Sequence, residues 1–407
     1  MNDKKSLTAC SIRKASILSI VALVCVFVLS SDVASASCGS SLPEKHDWKT
    51  KRSFSRGDAR PVRTYSVYTP KKYRRTKKSK VILFFHGWGE TGRDYIKINK
   101  FRQFAERYNY VIVAMDGLGG SGNWEYPSWT HSGSSDGIGA DGTVTACDTS
   151  QNSPDYCYTS QCACTNRCGW TQCVDDDVGM VADFLIGGDG TTGSLSDVVC
   201  TDPHATFAVG ISNGGMFVWN LARDPRTNGR LAGIAPIIGT PHCGYDTAGE
   251  NVKVPVLLQV GSDDKTVSAN NLPMPGKSSD VCITNRDGDG YNYLSGHRIT
   301  TTWAMGAKGC NVTNRNQFPT KKYLFLELPD DTFLTCRTWC SGLRAYSVDC
   351  TFKGGHVSPA YTYHAAFIFF DRHLPRKKRH NCKKIKKRHQ CKLAACAWKK
   401  NTGKCIP

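Results

Sequence analysis

The stretch that decides the fold reads Thr206-Phe207-Ala208-Val209-Gly210-Ile211-Ser212-Asn213-Gly214-Gly215-Met216. It begins as an apolar run typical of a buried strand, and residues 214–224 continue it with the spacing of a helix. A strand that enters Gly-x-Ser-x-Gly and leaves as a helix is a nucleophile elbow, a sharp turn that exposes the serine hydroxyl. The pattern therefore predicts that Ser212 is a nucleophile, the alternative being an ordinary glycine-rich turn.

Short apolar runs alternate with helix-like segments from about Arg60 to Leu374. This alternation predicts an α/β fold with a mostly parallel sheet covered by helices. The predicted strands are 65–68, 81–85, 111–115, 206–209, 234–238, 254–260 and 323–328. The predicted helices are 95–108, 175–185, 214–224, 295–305 and 359–372.

A serine nucleophile needs a neighbouring base and a carboxylate that orients the base. The strand that ends at Val260 continues into Gly261-Ser262-Asp263-Asp264, so two candidate acids lie just beyond its C-terminal end. Either aspartate could instead cap the following turn. His356 follows on a glycine-flanked loop, in the chain order serine, acid, histidine. We predict His356 as the base, against the alternative of a surface histidine.

The strand 81–85 leads into His86-Gly87-Trp88-Gly89. In a nucleophile-elbow protein this loop supplies one backbone N–H to an oxyanion hole, and the residue after the serine supplies the other. We predict Trp88 and Asn213 as the two donors, each worth roughly 3–4 kcal/mol to a transition state. A plain glycine turn after a strand is the alternative for 86–89.

The N-terminus has the composition of a secretory signal peptide. Basic residues precede the apolar run 17–29, which is too short to span a bilayer, and Ala34-Ser35-Ala36 follows it. We predict a signal peptide over 1–36, an extracellular protein and no stable membrane span, with an uncleaved anchor as the alternative. Residues 37–59 are predicted as an N-terminal extension tied by Cys38. The sequon at 311–313 predicts glycosylation of Asn311.

The chain has 20 cysteines, and removal of 1–36 leaves 18. An even number in an exported chain predicts disulfides, with metal binding by the densest cysteines as the alternative. The segment 117–173 is rich in Gly, Ser, Asp and Cys without a clear period, so we predict a disulfide-rich insertion there. The run 287–290 resembles a calcium loop, but Arg298 stands where the twelfth-position ligand is needed. We therefore predict a turn and no metal site.

The formal net charge is +19, and the segment from Arg376 to Lys404 contributes 13 Lys and Arg with no acidic residue. Residues 375–407 are predicted as a small basic, cysteine-rich C-terminal appendage on a mildly basic body. Three hypotheses remain open for it: a solvated charge run, a docking element for a polyanionic matrix, and a processing site at 376–379. Nucleic-acid binding conflicts with the export signal, so no nucleic-acid partner is expected.

Residues 60–374, about three quarters of the chain, resemble the secreted α/β-hydrolases that include feruloyl and acetylxylan esterases and polyhydroxybutyrate depolymerases. The resemblance rests on 86–89, Asp176-Asp177-Val178-Gly179, 210–215, 261–264, Trp303 with Gly309-Cys310, and Gly354-Gly355-His356. It implies an α/β-hydrolase fold with a catalytic domain over 60–374 and a triad of Ser212, His356 and Asp264. Asp263 is the fallback acid. Water completes such a reaction, so no cofactor is expected.

Two departures from the family pattern concern the substrate pocket. Val260-Gly261 stands where the family usually has His-Gly, and Val357-Ser358-Pro359 follows the histidine in place of a Trp-Pro pair. The resemblance implies a serine esterase acting on feruloyl or acetyl esters of plant-type polysaccharide. The alternatives are a polyhydroxybutyrate depolymerase-like esterase acting on polyester and a catalytically silent hydrolase fold that binds a matrix.

Overall fold

The computed structural model describes residues 38–39, 41–119, 126–137, 169–243, 254–267, 282–284, 286–307, 310, 312, 322–323, 334–339, 347–374, 397–399 and 404–406. The predicted signal peptide, most of the 117–173 insertion, Asn311 and all but six residues of the basic appendage lie outside these ranges. None of the helices in the described ranges is long and apolar enough to cross a membrane.

The strands are short and largely buried. In chain order they are β1 (Arg52–Phe54), β2 (Arg63–Tyr68), β3 (Ser79–Phe85), β4 (Tyr110–Met115), β5 (Thr201–Ile211), β6 (Ile234–Ile237), β7 (Val256–Gly261), β8 (Cys282–Thr284), β9 (Asn292–Leu294), β10 (Lys322–Tyr323), β11 (Leu334–Trp339), β12 (Ser347–Phe352), β13 (Ala397–Lys399) and β14 (Lys404–Ile406). Two pairs, β8 with β9 and β13 with β14, form separate antiparallel ribbons.

The other strands that the structure describes form one sheet in the order β1-β2-β4-β3-β5-β6-β7-β12-β11-β10. From β4 to β12 every neighbouring pair is parallel, whereas the pairs at both edges are antiparallel. Parallel strands are buried on both faces, which explains the nearly continuous apolar sequence of β3 to β7. The carboxyl ends of β3, β5, β7 and β12 consequently share one edge of the sheet.

Helices cover both faces of the sheet. They are α1 (Gly92–Lys97), α2 (Asn99–Tyr108), α3 (Asp177–Ile186), α4 (Leu195–Val198), α5 (Asn213–Arg223), α6 (Gly296–Gly306) and α7 (Ala360–His373). Apolar side chains of α3, α5 and α6 share a core with Leu83 of β3, and those of α2 and α7 share a second core with Phe84. Adjacent residues of a strand point to opposite faces, so β3 contributes to both cores.

The predicted mostly parallel sheet with flanking helices is confirmed, and its connectivity, with a serine turn between β5 and α5, is that of an α/β-hydrolase fold. Two boundaries differ from the prediction. The helix predicted over 95–108 is divided at Ile98, whose extended backbone (ψ 109°) separates α1 from α2. The sheet begins inside the predicted N-terminal extension, because Arg52–Phe54 pairs with Arg63–Tyr65.

Disulfides join Cys38 to Cys200 and Cys336 to Cys350. The first connects the N-terminal extension to the start of β5, 162 positions away in sequence. The second links the neighbouring antiparallel strands β11 and β12. Cys173, Cys243 and Cys310 are disulfide-bonded as well. The disulfide prediction is therefore confirmed for these cysteines.

Candidate active site

The turn between β5 and α5 holds Ser212 in an unusual conformation. Its φ of 51° and ψ of −117° lie in a region that residues other than glycine rarely occupy. A Cβ on Gly210 would lie 2.0 Å from the Gly214 oxygen, and one on Gly214 would lie 2.3 Å from the Phe85 oxygen. Glycine at both positions is therefore a steric requirement of the turn, as the Gly-x-Ser-x-Gly pattern predicts.

Three predicted site residues meet at the carboxyl edge of the sheet. The Oγ of Ser212 lies 2.8 Å from Nε2 of His356. The other ring nitrogen, Nδ1, lies 2.8 Å from Oδ2 of Asp264. The side chain of His356 is 25% exposed and that of Asp264 is fully buried, so the relay runs from a solvent-accessible hydroxyl to an enclosed carboxylate.

The two candidate acids after β7 have different surroundings. Asp264 is buried, and its second oxygen, Oδ1, accepts a 2.9 Å hydrogen bond from the Val267 N–H. Asp263 is exposed, and its Oδ2 accepts a hydrogen bond from Ser262 Oγ at 3.0 Å. The structure thus brings Asp264 to His356 and turns the carboxylate of Asp263 elsewhere.

The loop after β3 borders the serine. The Gly87 carbonyl accepts from His86 Nδ1 at 2.6 Å, and Nε2 of His86 accepts from the Gly117 N–H at 2.8 Å. Burial lowers the pKa of His86 to about 4, so the ring is neutral and carries its proton on Nδ1. The carbonyl of Gly87 and the N–H of Trp88 belong to one planar peptide. The hydrogen bond from His86 therefore also fixes the direction of the predicted Trp88 donor.

Asn213, the other predicted donor, is the first residue of α5. The first N–H groups of a helix have no intrahelical acceptor, and they lie at the positive end of its dipole. The side chain of Asn213 is buried and pairs with the backbone of Trp129: Oδ1 accepts from its N–H at 2.7 Å, and Nδ2 donates to its carbonyl at 2.9 Å. This double hydrogen bond attaches the segment 126–137 to the serine turn.

A cleft of about 470 Å³ opens over the serine. Its walls are mainly aromatic and aliphatic, with a few polar groups, the composition usual for small-molecule sites. The residues that line it are Gly87, Trp88, Glu90, Tyr95, Trp170, Ile211, Ser212, Met216, Ile238, Thr266, Val267, Asp289, Tyr291, Tyr293, His356, Val357 and Ser358. The cavity is large enough for both the acyl and the alcohol part of a small ester.

One wall of the cleft is supported from behind by two buried histidines. The indole N–H of Trp170 donates to Nε2 of His242 at 2.8 Å, and the ring of His242 stacks on Tyr293. Burial lowers the pKa of His242 to about 4, and burial together with neighbouring His242 lowers that of His131 well below its usual value. Both rings are therefore uncharged at neutral pH.

A buried ionic network holds the segments that contain Thr130 and Gln172. Arg63 donates to Asp175 at 2.9 Å and to Asp177, and all three side chains are almost completely buried. Asp177 also accepts from the Thr130 N–H at 2.6 Å and from Gln172 Nε2 at 2.7 Å. The network thus connects two described parts of the predicted insertion, 126–137 and 169–173, to α3.

Sequence reasoning did not find several of the residues that shape this site. The sequence does hold one signal for them: Tyr291 and Tyr293 alternate around Asn292, which is the period-two pattern of a strand with one aromatic face. Trp170 and Glu90 belong to no recognisable sequence motif. Only the tertiary fold brings them to the cleft. Among the described residues, no group of His, Cys, Asp and Glu side chains could hold a metal ion.

A scan against protein-family models and a search of curated proteins found no match to this chain. Solved structures to which it is similar include an acetyl xylan esterase from Aspergillus awamori, at 14% identity and a TM-score of 0.45, covering 79% of this chain and 99% of that chain. Another is the Bacillus cereus carboxylesterase, at 14% identity and a TM-score of 0.39, covering 77% of this chain and 95% of that one.

Proposed function

We propose that this protein is a secreted serine esterase that hydrolyses carboxylic esters. The observation that carries the proposal is the relay of two 2.8 Å contacts from Ser212 through His356 to Asp264, at the base of an open cleft. A hydroxyl, an imidazole and a buried carboxylate in this order can deprotonate the hydroxyl as it attacks a carbonyl.

In the first half-reaction, Ser212 Oγ attacks the ester carbonyl while His356 Nε2 takes its proton. The N–H groups of Trp88 and Asn213 stabilise the oxyanion, and His356 then returns the proton to the departing alcohol. In the second half-reaction, His356 activates water, which attacks the acyl-serine and releases the acid. The carboxylate of Asp264 keeps the proton of the neutral ring on Nδ1 and stabilises the imidazolium that forms.

The preferred substrates are feruloyl or acetyl esters of plant-type polysaccharide. In support, the cleft of about 470 Å³ has the aromatic side chains of Trp88, Trp170, Tyr291 and Tyr293 in its walls. An acetyl group alone needs far less space than this, whereas a planar aromatic acyl group could stack against such walls. Short polyester chains are the second candidate.

Secretion is supported by the predicted signal peptide and by the disulfides of Cys38 and Cys336, because disulfides persist in oxidising compartments. In this proposal the basic appendage is outside the catalytic machinery, and docking on a polyanionic matrix is its hypothetical role. Deletion of 376–407 should then abolish retention of the protein on an acidic polysaccharide at low salt without changing hydrolysis of a soluble ester.

A chromogenic short-chain ester tests the enzyme against the alternative of a silent matrix-binding fold. We expect turnover by the wild-type protein and its loss in Ser212→Ala, with both proteins equally folded by circular dichroism. A folded wild-type protein without turnover would contradict the esterase proposal. Comparison of methyl ferulate, acetylated xylan and a polyhydroxybutyrate oligomer would then rank the substrates.

A further inference from the structure

Glu90 places a carboxylate near the serine. Its Oε2 accepts from the Gly87 N–H at 2.8 Å and from the Tyr95 hydroxyl. A Cβ on Gly87 would lie 2.6 Å from this oxygen and 3.6 Å from Ser212 Cβ, so the Glu90 oxygen and the serine Cβ are no more than about 6 Å apart. Glu90 also lines the cleft.

The described Asp, Glu, Lys and Arg side chains that line the cleft are all negative. Among the described residues that line it, Glu90 and Asp289 are acidic and none is Lys or Arg. This acidity stands against a net charge of +19 for the chain, most of which lies in the C-terminal appendage.

We propose that Glu90 makes the cleft select uncharged or cationic esters over anionic ones. The proposal rests on the esterase function proposed above and specifies its substrate class. A carboxylate on the ester would approach the exposed carboxylate of Glu90 within several ångströms, where the two negative charges repel each other. A sugar hydroxyl could instead donate to the carboxylate, and a cationic group would be attracted to it and to the aromatic walls.

A merely structural role of Glu90 predicts a different result. Because Glu90 holds the Gly87 N–H, its loss could slow every substrate by displacing the neighbouring Trp88 donor. Glu90→Gln keeps an oxygen acceptor of the same shape and removes the charge. In Glu90→Gln a structural role therefore changes kcat/KM by a similar factor for all substrates, whereas charge selection changes the ratio of kcat/KM between substrates of different charge.

The test uses three thioesters of one acid that differ in the charge of the leaving thiol: butyrylthiocholine, its neutral 3,3-dimethylbutyl analogue, and S-butyryl-3-mercaptopropanoate. Release of the thiol by the full-length protein gives kcat/KM for each. We expect kcat/KM of the wild-type protein to be about tenfold lower for the anionic thioester than for the neutral one. In Glu90→Gln this ratio should fall below about threefold. The control is Glu44→Gln, because the side chain of Glu44 is 78% exposed and is not part of the cleft lining. This variant should keep the wild-type ratio.

Equal kcat/KM for the neutral and anionic thioesters would overturn the charge selection while leaving the esterase proposal intact. An unchanged ratio in Glu90→Gln would overturn the role of Glu90. No hydrolysis of any thioester, nor of the chromogenic ester, would instead overturn the proposed function and this inference with it.

Discussion

At the scale of single residues, Ser212 is held against its conformational preference. Non-glycine residues in such regions cost of the order of 1–3 kcal/mol and persist only where the surroundings determine them. Here the Ser212 N–H donates to the Ile237 carbonyl at 2.9 Å, and the Ser212 carbonyl accepts from the Met216 N–H of α5, also at 2.9 Å. Strain at this position is consistent with a functional demand for an exposed hydroxyl.

The strain predicts an inverted order of stability at position 212. Ser212→Gly should be about 1 kcal/mol more stable than Ser212→Ala, because glycine adopts a φ of 51° without steric cost, although glycine is normally destabilising. Thermal or urea denaturation of the two variants measures the difference. If the alanine variant is the more stable one, the backbone at position 212 is not strained.

The two neighbouring aspartates provide a second prediction at this scale. Asp264→Asn should lower kcat on a chromogenic ester about 10³- to 10⁴-fold, because an amide no longer enforces the Nδ1–H tautomer of His356. The matched control Asp263→Asn should stay within about threefold of wild type, since this side chain is exposed and bonded to Ser262. Equal losses in the two variants would refute the assignment of Asp264.

At the scale of elements, the serine turn requires β3, β5 and α5 to approach without intervening side chains. Gly214 lies directly against the Phe85 and His86 carbonyl oxygens, at 2.3 and 2.5 Å from a hypothetical Cβ. Gly214→Ala should therefore destabilise the protein by about 3 kcal/mol and lower its activity, because backbone must move.

Gly229 is the control for this substitution, because a Cβ there would meet nothing within 4 Å. Gly229→Ala should leave activity unchanged and alter the free energy of unfolding by less than about 1 kcal/mol. Urea denaturation monitored by fluorescence measures both variants. Equal stability of Gly214→Ala and wild type would show that α5 and β3 are farther apart than the structure indicates.

The elements around the serine were predictable from sequence because their signals are local. The apolar runs of β3 to β7 and the glycine pattern at 210–214 identify a parallel sheet and its turn. By contrast, the sequence pattern does not predict β11 and β12, because polar residues such as Arg337 and Asp349 interrupt the apolar pattern of Leu334–Trp339 and Ser347–Phe352. Their pairing comes from the tertiary fold, which also brings Arg337 opposite Asp349.

The same distinction applies to the candidate site. Ser212 and the two aspartates follow strands that the apolar pattern predicts, and His356 stands downstream on a glycine-flanked loop, in a chain order that sequence can reveal. The strand pattern alone leaves Asp263 and Asp264 open, and the family resemblance points to Asp264. In the structure the turn after β7 buries the side chain of Asp264 and exposes that of Asp263. Glu90, Trp170 and the Asn213 contact with Trp129 depend on loop packing, for which no periodic signal exists.

At the scale of the whole molecule, the buried histidines behind the cleft link stability to pH. His242 has a folded pKa of about 4, below the ordinary value of 6.5, and that of His131 is also lowered. Between these pH values the unfolded chain binds more protons than the folded one, so the free energy of unfolding falls as pH decreases from about 6.5 to about 4.

His242→Gln tests this linkage. Between pH 7 and pH 4.5 the free energy of unfolding should fall by about 2–3 kcal/mol less in the variant than in wild type. The reason is that the variant has no imidazole to protonate at this position. The exposed His204 offers a control, since His204→Gln should follow the wild-type profile. Denaturation curves at a series of pH values measure the slope, and parallel profiles for wild type and His242→Gln would contradict the prediction.

The central claim, that Ser212 is the nucleophile of an esterase, is tested most directly by covalent labelling with a fluorophosphonate, whose serine adduct mimics the tetrahedral intermediate. Intact-mass and peptide analysis should show one phosphonyl group per chain, on Ser212, with no labelling of Ser212→Ala and greatly slowed labelling of His356→Ala. Labelling at another residue, or none in a folded wild-type protein, would contradict the account.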